Sequence, residues 1–154
     1  TRSWERGKIA LANRFESYSA IVLDGNCVIK DGDEPTPDFL YQAVREMESI
    51  FAQHEERLPW YVLSSGSAPD FEKTIQRVSM GERAEMEEEW GRLFYRKGQD
   101  LDDLCIAIKH AAARRKDNKI RTMYADVFRT MDFYFTPDAR QTMLVILKAL
   151  HFPE

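Results

Sequence analysis

Two places in the chain put side chains with chemical capacity at the ends of apolar, β-favouring runs. The first is Asp24, which closes the run Tyr18–Leu23 and is followed by Asn26. With Asp31, Asp33, Asp70 or Asp102-Asp103 brought alongside, its carboxylate could join a cluster for a divalent metal, the arrangement by which nucleases and phosphatases activate water. The second is Ser64-Ser65-Gly66-Ser67, which follows Trp60-Tyr61-Val62-Leu63 and precedes a helical segment at Asp70. A small-residue loop between a strand end and a helix N-terminus can aim backbone N–H groups at an anion, a phosphate or a carbonyl oxygen. Asp24, Ser65, Gly66 and Ser67 are therefore the candidate ligand-binding residues.

Each also has a plain structural reading. Asp24-Gly25-Asn26 is a turn tripeptide. The serine loop lacks the Lys and spacing of a P-loop and is no GxGxxG. A haloacid-dehalogenase pattern fails on the missing second Asp two residues after Asp24, and a PIN- or NYN-type nuclease needs more strands than the back half offers. His54, His110 and His151 have no metal-ligand spacing, so zinc is not expected. No His–acid pair identifies itself for Ser64, Ser65 or Ser67. No catalytic residue, metal or cofactor is assigned on these grounds.

The elements that position these residues begin with two copies of Thr-Pro-Asp, at Thr36-Pro37-Asp38 and Thr136-Pro137-Asp138. Each offers a hydroxyl for the N-cap, Pro at N1 where its missing N–H costs nothing, and a carboxylate at the positive helix end. Helices are predicted to start at both. After the first, Leu40, Val44, Met47, Ile50 and Phe51 recur at helical spacing to about Arg57, and Pro59 ends the segment. Trp60–Leu63 reads as a buried strand. Upstream, Tyr18–Leu23, the Asp-Gly-Asn turn and Cys27–Lys30 read as a β-hairpin. The front half is thus a hairpin followed by a βαβ-like unit.

Beyond Ser67 the strand signal nearly vanishes. Asp70–Met80, Glu82–Tyr95, Leu101–Lys116, Ile120–Phe133 and Thr136–Leu150 read as helices, broken at Gly81, Gly98 and Asp117-Asn118. The expected fold is α/β: an N-terminal hairpin plus βαβ-like unit, then a mainly helical C-terminal half, in one domain over residues 1–154. The last helix is apolar over much of its circumference and follows Phe133-Tyr134-Phe135. Phe133, Phe135, Met143, Leu147 and Leu150 are the candidate partner interface.

Composition bounds the class. The 154 residues are 44% hydrophobic and 31% charged, enough for a folded core and too polar for a membrane protein. A net charge of −4 argues against a general nucleic-acid binder. Charge is uneven: five Glu and one Arg lie between Glu82 and Glu89, and six Lys or Arg against one Asp between Lys109 and Arg121. Such blocks read as solvated helix faces or as contacts with a charged partner. Cys27 and Cys105 are isolated thiols suited to a reducing compartment, and with no spanning segment or leader pattern the expected location is the cytoplasm.

From Tyr18 to Met80 the order of elements, with Thr-Pro-Asp-Phe-Leu opening a long helix and Trp60-Tyr61-Val62-Leu63-Ser64-Ser65-Gly66-Ser67 after it, resembles the start of the crotonase (enoyl-CoA hydratase) superfamily, in the branch that includes the diffusible-signal-factor synthases. The resemblance covers about 60 residues. It implies an oxyanion-hole role for Ser65, Gly66 and Ser67 towards an acyl thioester. The family's Gly-Gly-Asp-Leu or Gly-Ala-Asp-Leu stretch is replaced by Ala68-Pro69-Asp70-Phe71, and its second half, with the acid/base carboxylates, has no counterpart. What the resemblance implies is a shortened, non-catalytic relative. The missing catalytic constellation, the apolar surplus at Phe133–Leu150 and the opposed charge blocks make the leading expectation a non-enzymatic interaction or regulatory domain that self-associates. The alternatives are a protein or enzyme that holds an anion or acyl-CoA at Ser64–Ser67, and a metal-dependent nuclease or phosphatase around Asp24.

Overall fold

A computed structural model of the protein describes residues 3–36, 38–65 and 83–153. Among these residues are six α-helices and one three-stranded sheet. The chain is mixed α/β with a helical C-terminal half. It falls into two compact units, up to Ile108 and from Lys109 on. The helix predicted at Asp70–Met80, with Gly66 and Ser67 before it, lies outside the described residues.

The N-terminal unit is built on the sheet. Strand β1 (Ile21–Asp24) pairs with β2 (Trp60–Ser64), which pairs in turn with β3 (Phe94–Arg96), so β2 is central and every pairing is parallel. Both faces of a central parallel strand are covered, and Trp60, Tyr61 and Val62 are accordingly all buried in succession. The crossover from β1 to β2 carries α2 (Phe39–His54), which confirms the βαβ reading. Its buried residues Leu40, Ala43, Val44, Met47, Ile50 and Phe51 form one helical stripe. Each large side chain on it contributes about 1.5–3 kcal/mol by leaving water.

The caps of α2 differ from expectation. Asp38 takes the N-cap position, and the Thr36 hydroxyl accepts the Asp38 N–H at 3.3 Å in a turn before the helix. At the other end the helix stops at His54, before the predicted limit at Arg57, because Glu55 turns into the left-handed region at φ 51°. Arg57 then folds back to Glu48 at 2.6 Å.

The predicted hairpin is not formed. Cys27–Lys30 makes no strand, and the strands that do form are parallel. The backbone of this segment is used elsewhere, since the carbonyls of Val28 and Ile29 accept the N–H groups of Trp4 and Glu5, each at 2.9 Å. Those are the first two N–H groups of α1 (Trp4–Asn13), which need acceptors from outside the helix. The predicted helix Glu82–Tyr95 is likewise corrected. Helix α3 (Arg83–Trp90) ends where Gly91 adopts φ 82°, Leu93 is fully buried, and Phe94–Arg96 becomes β3. Met86 and Trp90 of α3 are buried four residues apart, while Glu85, Glu88 and Glu89 face solvent.

Helix α4 (Leu101–Met123) runs unbroken through Asp117-Asn118, where a break is predicted, and the division between the two units falls within it. The C-terminal unit continues with α5 (Ala125–Tyr134) and α6 (Pro137–His151). Its core cluster is Ile120, Phe128 and Leu144, with Tyr124, Leu147 and Phe152 half-buried against it. The second Thr-Pro-Asp caps as predicted: Thr136 Oγ1 accepts the Ala139 N–H and Pro137 stands at N1. Lys148 pairs with Asp117 at 2.5 Å, and the Tyr124 hydroxyl meets His151 Nε2 at 2.6 Å.

One polar cluster ties α1 to α2. The Trp4 indole N–H donates to Glu46 Oε2 at 2.8 Å, Lys8 approaches the same oxygen at 2.9 Å, and Gln42 donates to Oε1. Burial alone pushes the Glu46 carboxyl up, but the hydrogen bonds from Lys8, Trp4 and Gln42 and the Lys8 charge outweigh it and hold the carboxyl below its ordinary value of 4.5. A lowered folded-state value means that the ionised carboxyl stabilises the fold above the ordinary value and stops doing so as pH falls through the lowered one. Glu46→Gln should therefore lose about 1 kcal/mol at neutral pH in urea unfolding, and the gap to the parent protein should close as the pH drops below 4.5.

Candidate functional site

Parallel strands end at the same edge of their sheet, and here that edge gathers the side chains singled out in the sequence. Asp24 ends β1, Ser64 ends β2 and Lys97 follows β3. Lys97 Nζ reaches Asp24 Oδ2 at 2.6 Å, spanning the end of the central strand. The backbone fixes both: the Gly25 N–H donates to Leu63 O and the Lys97 N–H to Ser64 O, each at 3.0 Å. The other Asp24 oxygen accepts the Asn26 N–H at 3.1 Å, closing the predicted turn. Gly25 has no room for a side chain, since a Cβ there would stand 2.7 Å from both Cβ and Oγ of Ser64. Asp24 and Ser64 thus come together, Ser65 is exposed beside them, and Gly66 and Ser67 lie outside the described residues.

This arrangement offers one ion pair, half-exposed on both sides, beside a serine pair. In water such a pair contributes up to about 1 kcal/mol. It leaves the edge close to neutral, so the ammonium can turn to an incoming anion only by giving up Asp24. Of the carboxylates considered as metal-site companions, Asp70 lies outside the described residues, and three others have partners of their own. Asp31 pairs with Arg6, Asp33 accepts the Lys30 N–H, and Asp103 pairs with Arg92. Among the described residues no group of three or more His, Cys, Asp or Glu is placed to hold a metal ion. His54 stacks on Phe15 at 4.0 Å and His151 is bonded to Tyr124, so neither attends the serines. At β3, burial pushes the Tyr95 phenol up against the opposing pull of Arg92, whose guanidinium lies 4.5 Å from the ring centre. Lys97 does not stand out in the sequence, where only a run such as Leu93-Phe94-Tyr95 after Gly91 could have signalled the strand that carries it.

The candidate interface residues divide. Phe133, Phe135 and Leu150 are exposed, whereas Met143 and Leu147 are half-buried and Leu147 packs on the unit's own core. Tyr134, Val145 and Ile146, which are not among the candidates, are exposed as well. No helix among the described residues is long and apolar enough to cross a membrane.

No protein-family model, curated protein or solved structure matches the chain.

The close approach of Gly25 to Ser64 gives the sheet edge a direct test. Gly25→Ala should destabilise the protein by about 1–3 kcal/mol through overpacking, and Ser64→Gly in the same chain should restore most of the loss in a double-mutant cycle of denaturant unfolding.

Proposed function

We propose that this chain acts by association, as a non-enzymatic interaction domain whose C-terminal helical unit docks onto a second copy of itself. The observation that carries the reading is the apolar surface of that unit. Phe133 and Tyr134 are 81% and 82% exposed and Leu150 is 71% exposed, in a unit whose core cluster has three buried side chains. Large apolar side chains this exposed favour burial against another surface. On α6, Ile146 and Leu150 are exposed one turn apart, with the half-buried Met143 and Leu147 at the margin of their face, a short row suited to another helix.

A second copy fits this row better than an unrelated helix. The first turn of α6 carries Asp138 and its last turn carries Lys148 and His151. Two α6 helices crossing antiparallel about a two-fold axis oppose their dipoles and set Ile146 and Leu150 of each against the same face of the other. Sedimentation of the parent protein should show a monomer–dimer equilibrium in the micromolar range. Ile146→Glu with Leu150→Glu should be monomeric with an unchanged far-UV circular dichroism spectrum. A parent protein that stays monomeric to millimolar concentration contradicts the proposal.

A second reading is favoured by the meeting of Ser64, Ser65 and Lys97 at one sheet edge. It makes that edge a site for a phosphate-bearing ligand such as an acyl-CoA, with Lys97 leaving Asp24 to take the anion. Saturating CoA ester, at about 100 times its dissociation constant, should then stabilise the protein by about 2.7 kcal/mol in thermal unfolding, and Lys97→Ala should remove most of the effect. An unshifted transition in the parent protein removes the support for this reading.

A further inference from the structure

The two outer edges of the sheet differ. The N–H groups of Ile21 and Gly25 donate to Pro59 O and Leu63 O at 2.9 and 3.0 Å, so the odd-numbered residues of β1 face β2 and the backbone groups of Val22 and Asp24 turn to the outer side. There the N–H groups of Val22 and Asp24 and the Val22 carbonyl have no hydrogen-bond partner among the described residues. The outer edge of β3 is closed instead, because the Arg96 N–H donates to Asp100 Oδ2 at 2.7 Å. Strand β1 also has none of the features that blunt an edge: it contains no Pro and no Lys, and its register with β2 has no bulge.

A half-open groove runs along the β1 edge. Every residue from Ala20 to Asp24 lines it, whereas a groove over one face of the strand would touch alternate residues only. The opposite wall is one face of α1, where Trp4, Gly7 and Leu11 follow at i, i+3 and i+7. Leu23 and Phe39, both buried, add apolar surface, and Val22 is 44% exposed, so the edge can be reached from solvent. Asp24, already paired with Lys97, is the one charged side chain in this lining among the described residues.

We infer that this edge binds an extended segment of a partner protein, which pairs with β1 as a further strand of the sheet and lays apolar side chains, at alternate positions, between β1 and α1. A row of unpaired N–H and C=O groups fits the backbone of another strand. The apolar walls select what that strand carries on its inward face. Its paired length is about four or five residues, matching the roughly 13 Å of β1. A second copy of this chain is the poorer fit, because its own β1 edge is walled by its own α1 and only a bare segment passes between helix and strand.

The probe is the peptide acetyl-Thr-Val-Thr-Val-Thr-Lys-amide, and the readout is amide hydrogen exchange of the whole chain by nuclear magnetic resonance. The peptide should bind with a dissociation constant of order 0.1 mM, as suits a few backbone hydrogen bonds and one or two apolar side chains. At saturation, exchange at Val22 and Asp24 should slow at least about fivefold, while Leu23 and Gly25, whose N–H groups already face β2, should change by less than about twofold. The same peptide N-methylated at every residue keeps its side chains but can form no ladder, and should not bind. Val22→Pro removes the outward N–H at a position where an edge strand tolerates proline, and should abolish binding with an unchanged far-UV circular dichroism spectrum. Equal binding of the two peptides, or no binding by the parent protein at millimolar peptide, would overturn the inference. So would protection of Val22 and Asp24 that grows with protein concentration in the absence of peptide, which is the mark of a second copy at the edge.

Discussion

A parallel pair of strands cannot be closed by a tight turn, and that constraint organises the N-terminal unit. Having formed β1, the chain must travel back along the sheet before β2 can lie beside it in the same direction. Helix α2 makes that journey, and its apolar stripe is part of the same buried cluster as Trp60, Tyr61 and Val62. Strand β3 pairs with β2 in the same parallel sense, so β2 is hydrogen-bonded on both sides, and Trp60, Tyr61 and Val62 are buried. With all strands running one way, their final residues are delivered to one edge. Asp24, Ser64 and Lys97 meet there for that reason, although 73 residues separate the first from the last.

Parallel pairing also explains which parts of this unit could be read from the sequence. Trp60–Leu63 announces itself as an unbroken apolar run because a central strand hides both faces. The α2 stripe is legible because its spacing is local, and so is the Thr136 cap, whose accepting hydroxyl and donor N–H lie three residues apart. Cys27–Lys30 has the composition of a strand, but its carbonyls are claimed by the N–H groups of Trp4 and Glu5, an event that depends on residues more than twenty positions away. Strand β3 is three residues long, too short for any period to show, and exists because β2 offers it a ladder.

The candidate sites divide in the same way. Asp24 and Ser64 could be placed at strand ends from their own neighbourhoods, whereas Lys97 depends on β3 and is invisible until the sheet is assembled. On the last helix, Leu147 and Leu150 are alike in sequence, yet Leu147 turns to the core beside Leu144 while Leu150 remains in water. One turn of helix separates the two roles, and an apolar count along the segment has no power to divide them.

The contrast between the two core clusters sets how each unit takes the loss of a side chain. In the N-terminal unit, an altered side chain has many buried neighbours among Phe15, Met47, Ile50, Phe51, Trp60 and Leu93 over which to spread the loss of packing. In the C-terminal unit, Ile120, Phe128 and Leu144 have only the half-buried Tyr124, Leu147 and Phe152 packed against them to share it. A side chain truncated in the first core leaves many packed neighbours in place, whereas one truncated in the second removes a large share of its cluster, so the C-terminal unit is the more sensitive of the two to a single core change.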